Sequence, residues 1–166
     1  MPAGNPANDR AISEWTEAYC PINAADRLND LSKVTRLTVE TLSGLDNAAR
    51  QSGSNLDGVA KSINKLAENM GKDADAFRRL GITAKDPLEA FKQLSDIFVS
   101  LEDDQQRSAV MARALGKSWQ EAAPLLSEGS KRIGEMVEEG KRLSGITTEM
   151  AQNADRFNDR IVALST

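Results

Sequence analysis

The stretch Gly116–Gly129, GKSWQEAAPLLSEG, admits two readings that lead to different folds. Gly-Lys-Ser closes a phosphate-binding P-loop, which would make the chain an α/β nucleotide-binding protein. It also meets the needs of a corner between two helices, which would make the chain all-α. A P-loop requires a further glycine five positions upstream of Gly116, so that backbone N–H groups can curl around phosphate. That position is Met111, inside a helical stripe with Val110, Ala114 and Leu115. The loop must also leave a buried strand and enter a long helix. Residues 105–115 read as helix instead, and Pro124 follows shortly after. The corner reading uses every residue. Gly116 is a left-handed C-cap, and Lys117 sits beside the negative end of the preceding helix. Ser118 and Glu121 form a capping box, while Trp119, Leu125 and Leu126 plug the junction into a core. Pro124 predicts a segment of one or two turns, bent before Leu125.

Outward from this corner the apolar spacing stays helical. Toward the C-terminus, Gly129 separates the corner from a helix carrying Ile133, Met136, Val137 and Leu143. Gly134 and Gly140 weaken that helix and Gly145 closes it. Thr147 caps the last helix, whose Met150, Ala154, Phe157, Ile161 and Leu164 recur with 4-3-4-3 spacing. Toward the N-terminus, Asp103 or Asp104 caps the helix that ends at Gly116. DPLE, Asp86–Glu89, is a capping box with Pro87 in the first turn. It opens a helix through Leu88, Phe91, Leu94, Phe98 and Leu101. DIFVSL, Asp96–Leu101, is the longest apolar cluster of strand-like composition, and it lies within that stripe. Ala74, Phe77 and Leu80 form a short helix up to Gly81. Leu56, Val59, Ile63, Leu66 and Met70 form a coiled-coil-like seam of about two heptads, capped by Ser54 or Asn55 and broken or bent at Gly71. Thr38 caps the stripe Val39, Leu42, Leu45 and Ala49, with Glu40 in its first turn and Gly53 at its end. Ala24, Leu28, Leu31 and Thr35 make the first stripe. The expected fold is therefore all-α: short capped helices folded back as hairpins or a bundle, over residues 22–166. Residues 1–21 read as a disordered arm plus a short helix, in which Ile12, Trp15 and Tyr19 form a face for docking onto the body.

Composition agrees. Only 4% of the 166 residues are aromatic while 40% are hydrophobic, a mix dominated by Ala, Leu, Ile, Val and Met that suits packed helices. The net charge of −4 gives no general attraction to nucleic acid or to an anionic membrane. No run of 18 apolar residues occurs, and the N-terminus lacks the basic and apolar regions of a signal peptide, so the expected compartment is the cytoplasm or a particle assembled there.

The residue inventory leaves little room for catalysis. There is no histidine and a single cysteine, Cys20, which excludes zinc sites of Cys and His and nucleophiles paired with His. The adjacent carboxylates Asp103–Asp104 and Glu138–Glu139 point different ways on a helix and do not make an acid/base pair. Lys131–Arg132 and Lys141–Arg142 are each flanked by Glu and read as mixed surface. No catalytic, cofactor-binding or metal-binding residue is assigned, and the chain is read as a non-enzyme.

Four segments in order carry a family resemblance: LTVETLSGLDNAARQSGSNLDGVAKSINKLAENM (37–70), LGI (80–82), DPLEAFKQLSDIFVSLEDDQQRSAVMARALGKSWQEAAPLLSEG (86–129) and EEGKRLSGITTEMAQNADRFND (138–159). Together they resemble the core region of tail tape measure proteins of long-tailed bacteriophages and prophages. The shared features are Leu80-Gly81-Ile82, the 87–101 helix, Leu115-Gly116-Lys117-Ser118, Pro124-Leu125-Leu126 and Phe157-Asn158-Asp159. The resemblance spans roughly residues 22 to 164 and does not include residues 1–21. It implies a structural role. Such proteins lie in parallel copies inside the tail tube, set its length during assembly and leave ahead of the DNA. Their partners are tube subunits and tail assembly chaperones, and their location is the host cytoplasm and then the virion tail.

Family members run to many hundreds of residues. A single helix of 166 residues would reach about 250 Å, and the caps here fold the chain back well short of that. The expectation is a folded module of a tape measure protein, a truncated prophage product or an expressed fragment. It would act by helix–helix association through the 56–70 and 147–164 stripes, between copies or with tail partners. For the shorter stripe, burial inside one monomer is the favoured alternative. A second functional reading is a small prophage-encoded regulatory module that sequesters a protein partner. A third, a cell-wall-cleaving enzyme, needs a catalytic Glu in a cleft, and no Glu here has that setting.

Overall fold

The computed structural model describes residues 21–165, and they form an all-α fold. Nine helices are present among them: α1 (Pro21–Thr35), α2 (Val39–Ser52), α3 (Leu56–Lys72), α4 (Ala74–Arg79), α5 (Pro87–Ser100), α6 (Asp104–Leu115), α7 (Trp119–Leu126), α8 (Gly129–Ser144) and α9 (Thr148–Ser165). The expectations for the arm, for Ile12, Trp15 and Tyr19, and for Cys20 lie outside the described residues.

Most of the local start signals rest on an oxygen within reach of an orphan N–H at a helix start. Thr38 accepts from the Thr41 N–H at 3.2 Å, Asn55 from Gly58 at 2.7 Å, and Asp86 from Leu88 and Glu89 at 3.0 Å. Asp103, not Asp104, caps α6. Gly53 and Gly145 end α2 and α8 with left-handed backbones, φ +84° and +59°.

The helices close over one core. Leu42, Leu45, Ile63, Leu66, Phe91, Leu94, Met111, Leu115, Leu125, Leu126 and Ile133 are fully buried. The stripe from Leu56 to Leu66 faces inward, where α3 meets α5, α6 and α7. It is consumed by the monomer. At the centre α2 crosses α8 through glycines. A Cβ on Gly44 would lie 2.2 Å from the Val137 carbonyl oxygen, and one on Gly140 would lie 2.8 Å from the Gly44 Cα. The expected weakness at Gly140 is thus a requirement of close approach. Asn47 Nδ2 ties the same pair, donating to the Met136 carbonyl at 3.1 Å.

The Gly116 corner departs from expectation in detail. Its φ of +76° comes with ψ of −167°, which is not left-handed helical but an extended region open essentially to glycine alone. Ser118 makes no capping bond, because its own backbone is already turned (φ −82°, ψ 6°) and its hydroxyl is not aimed at the next N–H groups. Glu121 packs against Gly58 of α3 instead of closing a box. Glu89 likewise leaves its box and pairs with Lys92 at 2.8 Å. Helix α3 runs through Gly71 to Lys72, and Asp73 ends it while capping α4. Helix α7 continues through Pro124 to Leu126, since a proline in so short a helix sacrifices a single ladder bond.

Candidate interaction surface

The last helix is held to the body by its polar and small side chains. Ala151 and Ala154 are buried. Lys33 of α1 reaches Asp155 at 3.3 Å, and Asn158 donates to Asp26 at 3.0 Å. As numbering falls along α1 it rises along α9, so the two helices are antiparallel and Pro21 lies toward the C-terminal end of α9. Thr147 caps α9 locally, accepting from the Met150 N–H at 3.2 Å. Glu40 of α2 adds a second cap from a distance, accepting from the Thr148 N–H at 2.6 Å and its hydroxyl at 2.9 Å. Partial burial pushes the Glu40 carboxyl up. Hydrogen bonds from Thr148, from the Glu40 backbone and from Thr38 outweigh that effect and leave it below its ordinary value.

With α9 docked through alanines, most of its heptad stripe is left outside. Met150, Phe157 and Ile161 remain about half exposed, at 51%, 50% and 49%, and Leu164 is 88% exposed. These four share one helical face over roughly 21 Å of helix. Scattered exposed apolar residues are ordinary, but a row of four on one face is a patch that marks contact surfaces. Leu143 of α8, which shares the helical spacing of the buried Ile133, Met136 and Val137, is also exposed, and it lines a cleft with Ile146 in the connection to α9.

Elsewhere several of the surface charges pair with one another. Asp103 is a cap and Asp104 pairs with Arg107 at 2.7 Å. Glu138 pairs with Lys141, and Arg132 with Glu135, in keeping with the mixed surface read at Lys131–Arg132 and Lys141–Arg142. A cleft of about 500 Å³ between α1, α2 and α8 holds Arg27 and Arg50, each already bound to a carboxylate, Asp57 at 2.7 Å and Asp46 at 2.9 Å. A second, of about 480 Å³, has walls of Met70, Phe77, Ile82 and Pro87. Among the described residues no three acidic or thiol side chains gather as a metal site, and no helix is long and apolar enough to cross a membrane.

The periodicity of the α9 stripe was visible in sequence. Its exposure was not, and nor was the role of Glu40, which reads in sequence only as a first-turn acid. The chain matches no family model, no curated protein and no solved structure.

Proposed function

We propose that this chain is a non-enzymatic helical module of a phage tail tape measure protein, acting in tail assembly through helix–helix association at α9. The observation that carries the reading is the exposed row Met150, Phe157, Ile161 and Leu164 on a helix whose inward face is already satisfied. The order of sequence motifs from Leu37 to Asp159 supplies the family side of the argument. The companion stripe on α3 is spent on the core, so of these two stripes it is the one on α9 that is left to present a seam to another helix.

Two measurements test it. Light scattering after gel filtration reads self-association of the purified chain and of Ile161→Asp. Co-expression with tail tube and tail assembly chaperone proteins reads tail partners. Binding to either that is lost with Ile161→Asp supports the proposal. A chain that stays monomeric and recovers a host protein with no tail component is instead a regulatory module that sequesters that protein. Turnover of peptidoglycan by the purified chain would refute the non-enzymatic assignment.

A further inference from the structure

We propose that the cleft between α3, α4 and the α4–α5 connection binds a single-chain amphiphile with an anionic head, of the class of a medium-chain aliphatic carboxylate. The site is separate from the α9 row and does not depend on it. Its walls come from three directions: Ala67 and Met70 of α3, Ala74 and Phe77 of α4, and Ile82 and Pro87 from the connection and the start of α5. Phe77 and Ile82 are themselves buried, so the inner wall belongs to the core. The connecting wall is pinned. Gln93 Oε1 of α5 accepts from the Thr83 N–H at 2.9 Å and the Ala84 N–H at 3.1 Å, and the Ile82 N–H donates to the Phe77 carbonyl at 2.9 Å. The volume of about 480 Å³ falls within the range of about 300–1,000 Å³ usual for a preformed ligand pocket. Helix α4 is six residues, about 9 Å, and a partner helix with its side chains is roughly 10–12 Å across. The cleft therefore suits an extended chain and not a helix.

The neighbouring space sets the head group. A cleft of about 590 Å³ adjoins the first through Ala67, Lys85 and Pro87, which line both, and Arg36, Asn64 and Glu68 make it the more polar of the two. The carboxylates around this junction are engaged. Glu68 is bound by Lys65 and Lys72, Asp75 by Arg78, and Asp86 accepts from the Leu88 and Glu89 N–H groups. The cations are not all matched: Arg36 and Lys85 are exposed, and neither has an ion pair among the described residues. Two unmatched cations beside an apolar cleft attract an anion to that place, although the chain as a whole carries a charge of −4. A carboxylate takes charge-assisted hydrogen bonds from both lysine and arginine. With its head at Lys85 and its tail against Met70 and Phe77, such a molecule matches the polar and the apolar cleft at once.

Octanoate is the probe, used with the full-length chain below its micellar concentration. Calorimetry should give one site, and amide NMR shifts should gather on Met70, Gly71, Ala74, Phe77 and residues 82–85. Octanol and octyltrimethylammonium share the alkyl chain without the anionic head and should bind several-fold more weakly. Lys85→Glu should weaken octanoate several-fold and leave octanol as it was, a contrast that a general loss of structure does not produce. Gly71 lines the apolar cleft, and a Cβ there meets nothing within 4 Å. Gly71→Leu should therefore fill the space and abolish binding of octanoate and octanol alike, with a melting temperature no lower than the parent's. Ile161→Asp should leave octanoate binding intact, which separates this site from the α9 row. No binding of octanoate at millimolar concentration, binding indifferent to the charge of the head group, survival of binding in both Lys85→Glu and Gly71→Leu, or shifts that gather on α9 and vanish with Ile161→Asp would each overturn the proposal.

Discussion

The Glu40 carboxylate receives two hydrogen bonds from Thr148, a residue 108 positions away, at 2.6 Å from its N–H and 2.9 Å from its hydroxyl. A carboxylate at a helix N-terminus satisfies orphan N–H groups and complements the helix dipole. Glu40→Ala should therefore cost about 1 kcal/mol, the usual value of a lost cap. Amide exchange should accelerate first at Thr148, Met150 and Ala151. Equal protection in both proteins would show that Thr147 suffices alone.

Acid should act on the same contact. The Glu40 carboxyl is held below its ordinary value, and Glu68, hydrogen-bonded to Lys72 and Lys65, is lowered to about 2. A depressed carboxyl adds stability that is complete above its unfolded value near 4.5 and disappears as pH falls through the folded one. Denaturant midpoints should be flat above about pH 5 and decline below 4, with a smaller decline in Glu40→Ala. Glu68 is exposed, so its share is screened and small. At the alkaline end Lys33 acts in the opposite sense. The hydrogen bonds that its ammonium donates to Asp30 and Asp155 raise it, so its contribution is lost only as pH climbs through that raised value.

Two glycines in helices should respond in opposite directions to alanine. Gly44→Ala places a methyl against the Val137 carbonyl where α2 and α8 touch, and should destabilise by about 1–3 kcal/mol or more. Gly71→Ala meets nothing within 4 Å and should stabilise by up to about 1 kcal/mol through helix propensity. Urea melts of both variants read the contrast, and a neutral Gly44→Ala would mean that α2 and α8 can separate freely.

Arg107 binds the C-terminal end of α5. It donates through Nε to the Phe98 carbonyl at 3.2 Å, donates to the Leu101 carbonyl, and lies 5.1 Å over the Phe98 ring, which in turn meets Trp119. Arg107→Ala should cost about 1–2 kcal/mol, and Arg107→Lys should recover little, since an ammonium cannot reproduce the planar fork. Thermal melts check both, and full recovery by lysine would reduce the contact to a point charge.

The two heptad stripes should separate cleanly under mutation. Ile63→Ala empties a fully buried site and should cost about 2–5 kcal/mol. Ile161→Asp should change stability by no more than about 0.5 kcal/mol, as expected of a surface site, yet abolish association through α9. Large losses at both positions would place the α9 row in the monomer's own core.

Most of the helix boundaries were legible because their causes are local. Thr38, Asn55, Asp86, Asp103 and Thr147 each satisfy an N–H two or three residues on, and Gly53 and Gly145 adopt backbones that other residues resist. The local boxes at Ser118 and Glu89 failed where a turned backbone or a nearby lysine offered a better arrangement. Of the candidate site, the 4-3-4-3 spacing of Met150, Ala154, Phe157, Ile161 and Leu164 could be read directly, since it depends only on helical period.

What the amino-acid order determined by itself is thus a set of amphipathic rods with starts and stops, all-α throughout the described residues. Only the tertiary structure decided which stripe each rod would bury. Leu56 to Leu66 went inward, while the α9 row stayed out because Ala151 and Ala154 gave the closer seat on the body. It also decided the caps that come from other helices. Glu40 serves α9, Asp96 accepts from the Ser130 N–H at the start of α8 at 2.9 Å, and Asn69 donates to the Ala114 carbonyl at the end of α6 at 3.0 Å. These partners lie dozens of residues apart. Hydrophobic periodicity states that a face is apolar but not what will cover it, and a long-range hydrogen bond exists only once packing has brought its two ends together.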